Sequence, residues 1–208
     1  MQIVADRDRY QLRSFLWGII SELNPYNPNS AEVVELRVEF SINPQQFVQQ
    51  AAKEQQKAVI YLNYLDRAEK EVEKRRFLRD DETDLRWKAN FDLLFAQLIA
   101  FKVRVYEYGA YLEQFVKKPK VVPLTKSPNL RMTNWDIRTR KEMLTAEQTQ
   151  PYMDKATELF KQLIKDHPGT PWAARAQWEL NRGYGVELVP EYEPPYKDVK
   201  NPIPLPKL

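Results

Sequence analysis

The sequence predicts a mostly α-helical protein, all-α apart from one short strand, and three observations carry that prediction. Trp87, Phe91, Leu94, Leu98, Phe101, Val105, Tyr108, Leu112 and Phe115 follow alternating steps of four and three without a miss, the register of a helix burying one seam. An equally long helical window precedes it, separated by the polar stretch Arg79 to Thr83. A shorter amphipathic pair, ATELFKQLIKDHPGTPWAARAQWEL, follows near the C-terminus with a Pro-Gly break between its halves.

In chain order, residues 1–42 are expected to hold a first helix and a strand. Leu12, Phe15, Leu16, Ile19, Ile20 and Leu23 recur at helical spacing until NPYNPN stops them with two prolines. Val34, Leu36, Val38 and Phe40 then alternate with Glu35, Arg37, Glu39 and Ser41, the period of a half-buried strand. A lone strand is marginal in water, so its partner is Gln2 to Ala5, another subunit, or a sheet outside this chain. Residues 43–118 read as an antiparallel αα-hairpin. Asn43-Pro44 supplies a cap and a proline at the first helical position, and Ala51, Ala58, Leu62, Leu65 and Val72 share a seam with Gln55 and Glu69. A turn of a few residues joins the two rods. Phe95, Ile99, Val103, Ala110 and Tyr111 form a second stripe on the second rod, so something beyond the first rod must cover it.

Residues 119–146 change character, with prolines at 119, 123 and 128 and no periodicity, and are expected to be a basic irregular connection. Residues 147–186 form the helix pair, and residues 187–208 are a Pro-rich tail, with six prolines in the last twenty residues, expected to be extended and outside any core.

Composition limits the chemistry. Lys plus Arg number 32 and Asp plus Glu 29, and there is no cysteine. The near-balance singles out no partner, and the missing cysteines exclude disulfides, thiolate nucleophiles and Cys-based metal sites. A single histidine, His167, stands just past a helix end, where capping is its ordinary role. Gly183 and Gly185 make a lone GxG without the third glycine of a dinucleotide loop, and read as a helix C-cap. No GxSxG, HExxH, P-loop or EF-hand pattern occurs. The charge-rich span Asp66 to Asp84 alternates acids and bases at helical neighbour spacing and reads as the solvated tip of the hairpin. With no apolar signal-like N-terminus and no long apolar run, the chain is expected in the cytoplasm if Met1 is its true start.

Two segments are candidates for binding. On the helical pair, Tyr152, Phe160, Trp172 and Trp178 are the large aromatics best suited to a protein partner, against the alternative that they are core. Residues 117 to 141 carry eight Lys or Arg against one Asp. There Lys117, Lys118, Lys120, Arg131, Arg138, Arg140 and Lys141 could hold phosphates while Trp135 stacks a base. The competing reading pairs these charges with Glu187, Glu191, Glu193 and Asp198.

Ala156, Phe160, Leu163 and Pro168, spaced four, three and five apart, resemble the second helix of a tetratricopeptide repeat, and HPGTPWAARAQWEL resembles the first helix of the next. The resemblance spans residues 147–182 and implies peptide or protein binding in a helix-lined groove. A second resemblance runs through RWKANFDLLFAQLIAFKVRVYEYGAYLE, PLTKSPNL, NWDIRTRKEML and HPGTPWAARAQWELNRGYGVELVPEY. Together these look like the C-terminal helical region of large bacterial proteins that carry a von Willebrand factor A domain. That domain's metal-binding DxSxS loop is absent here, so the resemblance carries no metal site. The expected function is a non-enzymatic scaffold for protein association or self-association, and the resemblance implies the C-terminal part of a larger assembly protein. It needs no cofactor, metal or small-molecule substrate, and nucleic-acid or polyanion binding is the alternative.

Overall fold

A computed structural model describes residues 10–24, 26–29 and 34–194. Six helices and four strands fall among the described residues: α1 (Gln11–Glu22), β1 (Glu39–Ser41), α2 (Pro44–Lys74), α3 (Arg76–Asp81), α4 (Leu85–Lys117), β2 (Thr125–Ser127), β3 (Leu130–Arg140), α5 (Ala146–Asp166), α6 (Pro171–Arg182) and β4 (Gly185–Glu193). The protein is thus mostly helical, with a small antiparallel sheet.

The hairpin forms as the sequence dictates. Asn43 Oδ1 accepts from the backbone N–H of Gln45 and Gln46, and Pro44 opens α2, so the first orphan donors of a 31-residue helix are met by its own cap. Arg75 breaks the rod, α3 forms the tip, and Asp84 caps the 33-residue α4 through Arg86 N–H. The α2 and α4 seams close on each other through Ala51, Ala58, Leu65 and Val72 against Phe91, Leu98, Tyr108, Leu112 and Phe115, all buried. Each large side chain buried here contributes about 1.5–3 kcal/mol. Helix α1 lies at the tip, burying Leu12, Leu16 and Ile19, while Arg13 reaches Glu82 at 3.4 Å and Asp84 at 3.8 Å.

The sheet corrects the sequence reading of three segments. The stretch 34–40 is not a strand throughout; only Glu39–Ser41 pairs, and its partner is β3, inside the segment expected to be irregular. Gln2 to Ala5, the suggested partner, lie outside the described residues. Residues 35–37 are instead anchored by side chains, Glu54 Oε2 accepting from Arg37 N–H at 2.9 Å and Tyr108 Oη donating to Arg37 O at 2.8 Å, while Val38 O accepts from Ile137 N–H at 2.7 Å. The start of the expected tail is likewise a nine-residue strand, β4, with Leu188 fully buried; Asp198 and the rest of the tail beyond residue 194 lie outside the described residues.

β3 is the centre of this sheet. β4 pairs along nearly its whole length, Arg131 with Glu193 through to Arg140 with Gly185. β1 and β2 share its other edge, at residues 134–136 and 130–131. The register slips between Met132 and Asn134, a bulge at Thr133 that rotates the alternation by one residue. Met132 and Trp135, three apart, can then both be buried. An aromatic series fastens the sheet to the hairpin base: Phe40 to Phe47 at 5.3 Å, Phe47 to Phe115 at 5.0 Å, and Phe115 edge-on to Trp135 at 5.0 Å.

Helices α5 and α6 pack on α4 as a helix–turn–helix. Pro171 opens α6 and Thr170 Oγ1 accepts from Ala173 N–H. Gly183 ends α6 at φ 80°, and a Cβ there would stand 2.8 Å from Arg140 O. At Gly185 the added Cβ would be 1.9 Å from Glu142 O. The lone GxG is therefore a tight turn feeding β4 against the end of β3.

Candidate functional site

The hairpin has a groove along one side, half filled and half open. Val48, Gln55 and Leu62 stand seven residues apart on α2, and Lys102, Gly109 and Val116 seven apart on α4, so each trio runs down one helix face. Towards the tip, α5 lies in this groove and buries Thr149, Ala156, Phe160 and Leu163. Beyond its first turn nothing among the described residues fills it.

The boundary between the halves is an ionic clamp. Lys102 Nζ lies 2.5 Å from Asp66 and 2.6 Å from Glu69, and Lys155 of α5 lies 2.8 Å from Glu69 and 2.5 Å from Glu73. Burial pushes the Glu69 carboxyl up, but the hydrogen bonds and charges of Lys102 and Lys155 outweigh it and hold the group below its ordinary range. Burial likewise works against the charge on Lys102, and Asp66 and Glu69 hold its pKa above the ordinary value. The acids at 66 and 69 are therefore spent on joining α2, α4 and α5, and that part of the charge-rich span is not a solvated tip. A second carboxylate fixes where α5 begins. Glu107, fully buried on α4, accepts from Leu144 N–H at 2.6 Å, Thr145 N–H at 3.0 Å and Thr145 Oγ1 at 2.6 Å.

From this boundary three cavities follow one another down the open half. The first, about 320 Å³, lies between Leu62 and Asp66 of α2, Lys102 and Tyr106 of α4, and Gln148 and Tyr152 of α5. The second, about 240 Å³, shares Val59, Leu62 and Tyr106 with the first and has Ala58, Gly109 and Ala110 among its lining. The third, about 380 Å³, is apolar and lies at the hairpin base between Val48, Val116, Val121, Leu124, Met132 and Trp135. Nine helical steps from Glu107, beside which α5 begins, to Val116 make the open half about 14 Å long. Its small residues let another backbone approach, while its rim exposes large apolar side chains, Val59 at 60%, Tyr106 at 45%, Val48 at 46% and Leu124 at 63%. Eight of the 17 exposed large hydrophobics of the described residues line these cavities, so the exposed apolar surface is concentrated there.

The four aromatics singled out from sequence separate. Tyr152 is half-exposed at the head of the open half, its ring 4.3 Å from Lys102 Nζ. Phe160 is fully buried, so it is core and presents nothing to a partner; Trp172 is partly buried against the same core. Trp178 is exposed on the far side of α6, flanked by Arg175 at 4.2 Å and Arg182 at 5.0 Å. Under it, Glu179 is fully buried and meets Arg104 at 2.8 Å, Arg175 at 2.9 Å and Gln97 at 3.1 Å. Burial opposes the Glu179 charge, and Arg104 above all, with Gln97 and Arg175, holds its pKa below the ordinary range.

The basic residues are dispersed by the sheet. Trp135 is 7% exposed and wedged against Phe115, so its ring is not available to stack a base. Arg138 meets Glu191 at 2.7 Å, Lys120 meets Glu187 at 3.6 Å, Lys117 meets Glu113 at 2.5 Å, and the Arg140 guanidinium lies 5.3 Å from the Tyr111 ring. Lys118, Arg131 and Lys141 are exposed. The residues of the open groove that sequence reading missed are Val48, Val59, Tyr106 and Val116. Their signal was present as apolar positions beside the main seam, eleven residues apart on α2 and ten apart on α4, each about three helical turns.

No family model matches the chain, and no curated protein or solved structure matches it. No helix among the described residues is long and apolar enough to cross a membrane.

Proposed function

We propose that the protein is a non-enzymatic helical scaffold that associates with other proteins by receiving a partner's helix in the open half of the α2–α4 groove. The observation that carries the reading is that one groove is filled by α5 over half its length and left apolar, shallow and exposed over the other half. A helix in an apolar groove is a common mode of protein recognition. The tetratricopeptide resemblance of residues 147–182 points the same way, since that family binds peptides along helix faces, and membership in a larger assembly protein fits a scaffold role. Polyanion binding is the less favoured reading, because its aromatic is buried and Lys117, Lys120 and Arg138 already face carboxylates.

The test is site-specific photo-crosslinking in the native cell. A photoreactive residue at Val59 should give a discrete protein adduct whose crosslinked peptide is helical and amphipathic. The same residue at Lys161, on the outer face of α5, should give none, and Tyr106→Glu should abolish the Val59 adduct. Equal labelling from both positions, or none from Val59, sinks the reading.

A further inference from the structure

We infer that the solvent face of α6 around Trp178 is a second docking site, separate from the groove, which takes an acidic segment of a partner protein through Arg175 and Arg182. Trp178 is 46% exposed, with the Arg175 guanidinium 4.2 Å and the Arg182 guanidinium 5.0 Å from its ring centre. The other exposed residues of the helix are Pro171, Ala174, Gln177 and Asn181 besides Arg175, and none of them is acidic. Glu179 is the only acid in α6, and it is fully buried beneath this face.

Charge identifies the occupant. Glu179 meets Arg104 at 2.8 Å and Arg175 at 2.9 Å, and Arg182, beside them, has no carboxylate partner of its own among the described residues. Three guanidiniums thus surround one carboxylate, an excess of two positive charges. Arg182 registers that excess: burial first, and then the charges of Arg104 and Arg175, hold its pKa below the ordinary value although Glu179 opposes them. Its place in the last turn suits the helix dipole, but Arg175 stands in the middle of the helix, where no dipole offsets it, and its side chain is 46% exposed. A carboxylate arriving from solvent offsets the excess while Glu179 keeps its bonds, and an apolar side chain next to it covers the open ring of Trp178. A basic segment meets repulsion from the same groups. A nucleic-acid backbone is less suited, since only two cations flank the ring and its affinity rests on many phosphate contacts.

The experiment titrates the full chain with two fluorescent peptides of about ten residues that share a central Leu, one rich in Glu and the other with Gln in place of every Glu. Binding is read by anisotropy and by the indole N–H resonance of Trp178, assigned with a Trp178→Phe variant. The Glu peptide should bind about tenfold tighter at low salt and shift that resonance. In Arg182→Gln, which leaves Arg104, Arg175 and Gln97 on Glu179, the preference should fall to about threefold or less, while Arg182→Lys, which keeps the charge, should retain most of it. Trp178→Ala should weaken the Glu peptide about tenfold. Tyr106→Glu, in the groove, should leave this binding intact, and an amphipathic peptide without acidic residues should leave the Trp178 resonance unmoved, so the two sites stand or fall separately. Equal binding of the two peptides, equal losses in the Gln and Lys variants of Arg182, or a Glu peptide indifferent to Trp178→Ala overturns the inference. A single-stranded oligonucleotide that binds the same face more tightly than the Glu peptide assigns it to polyanions, and a crosslink from position 178 to residues 195–208 assigns it to the chain itself; either overturns the inference too.

Discussion

Replacing Glu107 should loosen the start of α5 more than its single position suggests. Its carboxylate accepts three hydrogen bonds from residues 144 and 145 while fully buried, and Thr145, the cap residue of α5, makes no capping bond of its own. The cap of one helix is thus supplied by the middle of another. In Glu107→Ala two backbone donors and a hydroxyl lose their acceptor, the two donors of Thr145 while buried. Each unsatisfied donor costs about 1–3 kcal/mol, offset in part by not having to bury the charge, so the net loss is about 3–5 kcal/mol. For a chain of this size that lowers Tm by about 6–20 °C. Glu107→Gln keeps one acceptor oxygen and should lose about half as much. Circular-dichroism melts give the magnitudes, and hydrogen exchange locates the change, with faster exchange at 146–152 expected before the hairpin is affected. A Glu107→Ala variant that melts within about 2 °C of the parent would refute the claim that this carboxylate sets where α5 begins, and with it the reason the groove is open beyond that point.

Glu179→Ala leaves Arg104 buried against α6 without its main counter-charge and should cost about 3–5 kcal/mol in chemical denaturation. The depressed pKa values of Glu179 and Glu69 make the native state hold fewer protons than the unfolded chain. Their stabilisation is therefore fully present above the ordinary value of 4.5 and is lost as pH falls through the depressed values. Stability should decline with acid below that point and less steeply in Glu179→Gln. Gly185→Ala drives a Cβ to 1.9 Å from a backbone oxygen and should cost about 3 kcal/mol or more, whereas Gly18→Ala, in the exposed middle of α1 with nothing within 4 Å, should raise stability by about 0.5–1 kcal/mol. Single-stranded oligonucleotides titrated at two salt concentrations should show weak binding without quenching of Trp135; a steep salt slope with strong quenching would instead favour the polyanion reading.

The helices were legible because each carries its own signal. Asn43-Pro44, the Pro-Gly break at residues 168–169 and the four-three spacing from Trp87 to Phe115 act locally and survive any tertiary context. The sheet was not legible for a stated reason. A period-two reading of 130–140 fails because the bulge at Thr133 moves the inward position from Met132 to Trp135, so inward residues stand three apart. Val34 to Phe40 showed perfect alternation, yet Tyr108 and Glu54 capture the backbone at Arg37, leaving only the last residues to pair. In β4 the prolines suggested a loose tail, although Pro190 is accommodated on an edge strand with the ladder continuing on either side of it. For the basic segment the sequence offered both a patch and pairing with Glu187 and Glu191, some fifty to seventy residues away, and for Lys120 and Arg138 the structure shows the pairing. The groove itself depends on where α5 starts, and that is set by Glu107, a contact across 37 residues that no local pattern announces.

The central claim is that the open half of the α2–α4 groove is a docking face for a helix. Its most direct test is a titration of the isotopically labelled full chain with a synthetic amphipathic helical peptide, followed by methyl and amide resonances. The account predicts saturable shifts at Val48, Val59, Leu62 and Val116 and at the amides flanking Tyr106, with Leu188 and the surroundings of Trp178 unmoved. Shifts centred on Trp178 or the basic face of β3, or none at Val59 and Val116 at saturating peptide, would contradict it.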